Sequence, residues 1–229
     1  TTTTLGMIAV LRSRGKRILL AAPTGRAAKR MTETTGMEAR TIHRLLEVDY
    51  TGGVVSFIHN DKNLLKCDVV ILDEMSMVDL PLMQALLEAL RPGCRLVLVG
   101  DPDQLPSVGA GNVLGDLLRS TVVPTVSLTQ VFRQAEQSAI IRNAHAVNTG
   151  RPPELKNTQN DFFFLCRRAP DRLVQTVVEL CQQRLPNNMG IPAEQIQVLS
   201  PTRKGVCGTV NLNRALQAAL NPPAAGRRQ

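Results

Sequence analysis

Asp73 and Glu74 stand directly behind the apolar run Val69-Val70-Ile71-Leu72. Gly100-Asp101-Pro102-Asp103-Gln104 stands in the same way behind Leu96-Val97-Leu98-Val99. A carboxylate pair in that setting can divide the work of phosphate hydrolysis: Asp73 holds Mg2+ through its water shell, and Glu74 polarises the attacking water. Gln104, at the end of the next strand, can reach a γ-phosphate and register its loss. An Asp-Glu pair can also be an ordinary solvated turn or a helix N-cap. The Gly-Asp-x-x-Gln context of the second cluster favours the chemical reading.

These residues need a scaffold that brings strand ends together. Both apolar runs are short, continuous and rich in branched aliphatics, which suits parallel strands covered on both faces. The chemistry then sits at the carboxyl edge of an open α/β sheet. Upstream, Leu5, Ile8 and Leu11 mark a helix closing at Gly15, and Arg17-Ile18-Leu19-Leu20-Ala21-Ala22 reads as a strand. Pro23-Thr24-Gly25 then turns into a helix reaching Met31. Thr41 caps a short helix carrying Ile42, Leu45 and Leu46. Residues 47–50 and 54–57, joined by Thr51-Gly52-Gly53, predict a β-hairpin. Asp79 is an N-cap for an amphipathic helix with Leu82, Leu86, Leu87 and Leu90, stopped by Pro92-Gly93. A helix over 113–118, a strand over 124–128 and a helix from Ser138 to near Gly150 follow. Arg151-Pro152-Pro153 is the best linker candidate. Beyond it, Phe162-Phe163-Phe164-Leu165, a helix over 170–185 and a strand over 196–200 predict the start of a second α/β unit.

The chain has 229 residues, enough for one large α/β domain or for one domain and part of another. Trp is absent and Tyr50 is the only Tyr, so the core must be aliphatic. A formal net charge of +8 favours a polyanionic partner. Cys67, Cys94, Cys166, Cys181 and Cys207 show no C-x-x-C pairing and read as small core residues in a reducing compartment. No run is long and apolar enough for a membrane span and no leader is visible, so the expectation is a cytoplasmic protein that does not engage membranes. The opening Thr1-Thr2-Thr3-Thr4 and the closing Pro/Ala-rich tail give the look of a segment cut from a longer polypeptide.

The ordered motifs resemble the RecD/TraA-like branch of superfamily 1 DNA helicases. Ala22-Pro23-Thr24-Gly25-Arg26-Ala27-Ala28-Lys29-Arg30 is similar to motif Ia of that branch, and Thr41-Ile42-His43-Arg44-Leu45-Leu46 to the DNA-facing motif after it. Asp73-Glu74-Met75-Ser76-Met77-Val78-Asp79 resembles motif II, residues 100–111 motif III, and Gln130-Val131-Phe132-Arg133-Gln134 motif IV. The likeness continues through Leu199-Ser200-Pro201-Thr202-Arg203-Lys204-Gly205 and Leu212-Asn213-Arg214-Ala215-Leu216-Gln217, so it covers almost the whole chain. The phosphate loop G-x-x-x-x-G-K-[ST] is not in the sequence; Thr1 is its last residue if Gly-Lys precedes it. Motifs V and VI would lie after Gln229.

The resemblance implies a RecA-like P-loop NTPase fold, α/β, with a parallel sheet flanked by helices. The first motor domain would occupy residues 1–150, with a small hairpin insertion near 47–59, and a second would begin over 151–229. It implies an ATP-dependent helicase moving 5′-to-3′ on single-stranded DNA and opening duplex junctions, with ATP and Mg2+ as cofactors. Thr1 and Asp73 would hold the metal, Glu74 would act as base, and Gln104 would contact the γ-phosphate. Arg133 would be an arginine finger. Pro23, Thr24, Arg26, His43 and Arg203 would hold DNA, with Lys204 beside the last. His43 can equally be a structural histidine, and the hairpin either a pin that wedges the duplex or a plain surface hairpin. Two other readings stay open: a P-loop ATPase or kinase that never touches DNA, and a catalytically dead DNA-binding fragment. Recombination or conjugation partners would belong to the longer polypeptide.

Overall fold

Four parallel strands in the order β2-β1-β5-β6 form the central sheet: β1 (Ile18–Ala22), β2 (Ala39–Thr41), β5 (Val69–Leu72) and β6 (Arg95–Leu98). The computed structural model describes residues 2–49, 56–128, 137–156 and 161–222. The chain divides into two compact units, Thr1–Gln130 and Val131–Gln229.

The first unit is built by the two-residue period of its strands. Val70 and Leu72, with Ala21 and the flanking Leu19, Leu96 and Leu98, face one core. Val69, Ile71 and Leu20, with Ile18, Val97 and Val99, face another. The first core is roofed by α3 (Ile42–Leu46), α4 (Leu80–Glu88) and α5 (Val113–Ser120), through Ile42, Leu46, Met83, Leu86 and Leu114. The second is roofed by α1 (Thr2–Ser13) and α2 (Gly25–Thr35), through Ile8 and Met31. Every residue of β5 is buried, as a strand covered on both faces must be.

Helix starts follow the capping rules. Thr24, Thr41, Asp79 and Asn112 each accept a backbone N–H from the residue three positions on. Gly36 ends α2 in the left-handed conformation at φ 67°. Sequence reading missed β2, a three-residue strand whose last residue is also the cap of α3. A segment that short carries no periodicity. The hairpin is present as β3 (Val48–Asp49) antiparallel to β4 (Ser56–Phe57); its predicted turn, Tyr50 included, lies outside the described residues.

Two predicted strands do not form. Residues 124–128 and 196–200 pair with no other strand among the described residues. Val126, Leu128 and Leu199 are 88%, 80% and 83% exposed. An apolar branched run becomes a strand only where a neighbour supplies the hydrogen-bond ladder, and neither run has one among the described residues. The cysteine expectation also needs correcting: Cys67 and Cys181 are buried, but Cys166 is exposed.

The second unit is helical among its described residues: α6 (Ala139–Asn148), α7 (Pro170–Glu179), α8 (Leu185–Met189) and α9 (Thr209–Leu220), with a π-helical turn at Leu180–Arg184 joining α7 to α8. Arg151-Pro152-Pro153 lies within this unit. There the Asn143 side chain holds the backbone of Glu154 on both sides, donating to its carbonyl at 3.0 Å and accepting its N–H at 2.7 Å.

Candidate active site

Because all four strands are parallel, the segments after β1, β2, β5 and β6 all leave from one edge of the sheet. That edge carries Pro23, Thr24 and Arg26, then His43, then Asp73 and Glu74, then Gln104. The adjacent pairing of Leu72 with Leu98 puts the Asp73 and Gln104 segments on neighbouring strand ends.

Asp73 is held by its backbone, its N–H donating to Ala21 of β1 at 3.0 Å. Its Oδ1 accepts the Glu74 N–H at 2.9 Å. Glu74 then adopts φ 56° and ψ 43°, the left-handed region, so that the chain passes straight from β5 into a tight turn at Met75–Met77. The Met75 N–H donates to Val99 at 3.0 Å, binding that turn to the end of β6. A left-handed non-glycine residue costs about 1–2 kcal/mol, so Glu74 stands here at a conformational cost that glycine would relieve.

Asp73 and Glu74 line one cavity of about 190 Å³ with Thr4, Ala27, Arg30, Met31, Thr34 and Thr35. Thr4 is itself buried, at 5% exposure. Sequence reading did not single out Thr4, Arg30, Thr34 or Thr35, yet part of the signal was there. Ala27, Arg30, Met31 and Thr34 are spaced i, i+3, i+4, i+7, one stripe of α2. Carboxylate and hydroxyl oxygens in a small pocket are the donor set of a hard cation such as Mg2+, and Arg30 adds a charge complementary to phosphate. The volume suits a metal with a phosphoryl group, since whole small-molecule sites run from about 300 Å³ upward.

The match to known families decides the kinship: residues 1–164 match the AAA domain family. The chain belongs to that family. It is 40% identical over 227 residues to the ATP-dependent RecD2 DNA helicase of Deinococcus radiodurans, a match covering 99% of this chain and 30% of that protein. It is 33% identical over 234 residues to the RecBCD enzyme subunit RecD of Mycobacterium tuberculosis, covering 89% of this chain and 40% of the subunit. The chain thus spans well under half the length of these curated relatives. Among solved structures, a Bacteroides Pif1 bound to single-stranded DNA is similar over 78% of this chain and 49% of that one, at 22% identity and a TM-score of 0.43.

The remaining candidate site residues, inside and beyond the AAA domain match, are placed unevenly. Gln104 is exposed in the loop after β6 and is not among the residues lining the cavity. That loop is nevertheless seated on the motif that follows Glu74. The Leu80 N–H donates to Ala110 at 2.9 Å, and a Cβ on Gly109 would meet the Asp79 carboxylate at 2.0 Å. Gly100 is equally confined, 2.9 Å from Met75 Cβ by the same measure. Thr24 is used as the cap of α2, accepting the Ala27 N–H at 3.2 Å. His43 is exposed and its ring lies 6.0 Å from Phe57 of β4, tilted by 53°, which ties the short helix α3 to the hairpin. Thr1 and Arg133 lie outside the described residues. Arg203, in the second unit, lines an open cavity of about 790 Å³ with Lys204, Arg214 and Asp171 among others, three cations against one carboxylate. Among the described residues no group of three or more His, Cys, Asp or Glu forms a metal cluster, and no helix is long and apolar enough to cross a membrane.

Proposed function

We propose that this AAA domain is the nucleotide-hydrolysing and DNA-holding part of an ATP-dependent helicase that moves along single-stranded DNA. The observation that carries the reading is the Asp73–Glu74 pair, which lines an oxygen-rich cavity at the carboxyl edge of a parallel sheet, with Glu74 kept in a strained conformation. Likeness to the Deinococcus RecD2 helicase along nearly the whole chain supports it.

Asp73 and the hydroxyl of Thr1 are the proposed holders of Mg2+, with ATP's terminal phosphate beside them. The ion, when bound, offsets charge on the transferring phosphoryl group. Glu74 accepts the proton of the attacking water. Gln104 is the proposed contact to the γ-phosphate, and Arg133 contributes the finger charge. Pro23, Thr24, Arg26 and His43 are the proposed DNA contacts of the first unit, and Arg203 is the proposed DNA contact of the second. Single-stranded DNA and duplex junctions are the proposed partners, bound chiefly through phosphates and therefore salt-sensitively. Residues 1–150 and 151–229 are proposed to belong to successive motor domains, with the β3–β4 hairpin as the pin and movement 5′-to-3′.

The test uses a full-length polypeptide bearing this segment. Glu74→Gln should abolish DNA-stimulated ATP turnover while leaving ATP binding intact, because size is kept and only the base is lost. Unwinding should require a 5′ single-stranded tail. Normal turnover in the variant would remove Glu74 as base, and unwinding from a 3′ tail alone would reverse the assigned polarity.

A further inference from the structure

Cys67 and Cys94 lie at the end of the sheet opposite Asp73 and Glu74, just ahead of β5 and β6. Their sulfurs are 3.7 Å apart. Continuing the register in which Val69 pairs with Arg95 puts Cys94 beside Asp68, one residue from Cys67. A disulfide bond is about 2.0 Å long, so closure needs the two sulfurs to approach further from their 3.7 Å separation. The backbone around them is well anchored. Asp68 and Val69 donate N–H groups to Arg17 at 2.9 and 3.1 Å, the Arg17 N–H returns to the Asp68 carboxylate at 2.7 Å, and the Arg95 N–H donates to Asp68 at 2.9 Å. Cys67 is fully buried, whereas Cys94 is half-buried behind the Pro92-Gly93 turn.

We propose that Cys67 and Cys94 are a dithiol modification site, which a small-molecule disulfide converts to an intramolecular bond stapling the amino-terminal ends of β5 and β6. The thiolate of Cys94, the less buried of the two residues, attacks the oxidant's S–S bond; a mixed disulfide forms on Cys94 and one reduced thiol leaves. Cys67 then gives up its proton to solvent and its sulfur attacks the Cys94 sulfur, expelling the second reduced thiol. Two electrons pass from the protein thiols to the oxidant, which is fully reduced to two thiols. The second step is the slow one. Burial pushes the Cys67 thiol up to about 12; the neighbouring Cys94 and Asp68 push the same way and Arg91 opposes them. Ring closure should therefore accelerate as pH rises, by about tenfold per pH unit while the Cys67 thiolate remains scarce.

The experiment incubates the full 229-residue chain with oxidised glutathione, quenches with acid, and follows intact mass and non-reduced peptide maps as pH is varied. Exposed Cys166 serves as an internal control for oxidant activity. The expected result is a transient glutathione adduct on Cys94 that gives way to a peptide linking Cys67 to Cys94, faster at higher pH and reversed by a dithiol reductant. Cys67→Ser should stop at the adduct. Because that variant alters a buried position, Cys94→Ser and the wild-type map are read alongside it, and Cys94→Ser should leave Cys67 unmodified. A persistent adduct on Cys94 with Cys67 still reduced, or cross-links joining either residue to another cysteine, would overturn the assignment.

Discussion

Strand β5 and the run Thr125-Val126-Ser127-Leu128 both carry branched aliphatics close behind a turn, yet they end in opposite environments. Val69, Val70, Ile71 and Leu72 are wholly sealed from solvent, whereas Val126 and Leu128 are 88% and 80% exposed. The difference lies in neighbours. β5 runs between β1 and β6, with α1 and α2 over one face and α3, α4 and α5 over the other; the second run pairs with no strand among the described residues. The chemistry follows the buried member. Asp73 and Glu74 are the first residues beyond the best-supported strand of the sheet, so their backbone positions inherit its rigidity, as a site that must hold two carboxylates in fixed register requires.

The contrast is sharpest in stability. Ile71→Ala should cost about 2–5 kcal/mol, because it opens a cavity in a core that cannot collapse around it. Leu128→Ala, in the same unit, should stay within about 0.5 kcal/mol. Denaturant titrations of both variants decide the point, and comparable losses would mean that the 124–128 run is covered in solution. Next in size is the joint between the two strand ends. Gly100→Ala places a Cβ 2.9 Å from Met75 Cβ and 3.2 Å from its backbone nitrogen. It should cost about 1–3 kcal/mol by overpacking. Gly25→Ala, at the start of α2 with nothing within 4 Å, should not destabilise the fold. Equal melting temperatures for the two would detach the Gln104 loop from the Glu74 turn.

A smaller effect isolates the backbone of the site itself. Glu74→Gly and Glu74→Ala both remove the carboxylate, but only glycine accepts φ 56° without penalty. The glycine variant should be the more stable by about 1 kcal/mol; the reverse order would show that Glu74 is not held in the left-handed region. The smallest effect is expected at the far end of β5. The Asp68 carboxyl is held below its ordinary range by the Arg17 N–H hydrogen bond, and further by the charges of Arg91, Arg17 and Lys16. A depressed carboxylate stabilises the fold above its unfolded value of about 3.9 and loses that contribution as pH falls through the lower folded value. Stability of Asp68→Asn relative to wild type should therefore converge below that window, and a gap that stays constant through it would assign Asp68 no pH-linked role.

Much of the first unit could be read from residue order. Asp79 and Thr41 announced their helices because a short polar side chain ahead of an apolar stripe can satisfy an otherwise orphaned N–H. The β1, β5 and β6 runs announced themselves by unbroken apolar character. β2 could not, since three residues carry no period. Among the site residues, Asp73 and Glu74 were legible from their place behind a strand. Arg30 and Thr4 were not, because helix periodicity says which residues share a face but not what that face will meet.

The sequence by itself pointed to buried strands over 69–72 and 96–99, with Asp73, Glu74 and Gln104 following their ends, since short continuous runs of branched aliphatics suit parallel strands covered on both faces. Only the tertiary structure decided that Glu74 would turn left-handed, that α2 would bring Arg30 to the same cavity, and that Cys67 and Cys94 would meet at the opposite end. Each of these depends on a neighbour supplied by another part of the chain, and the packing of one element against another is a cooperative property that local propensity does not encode.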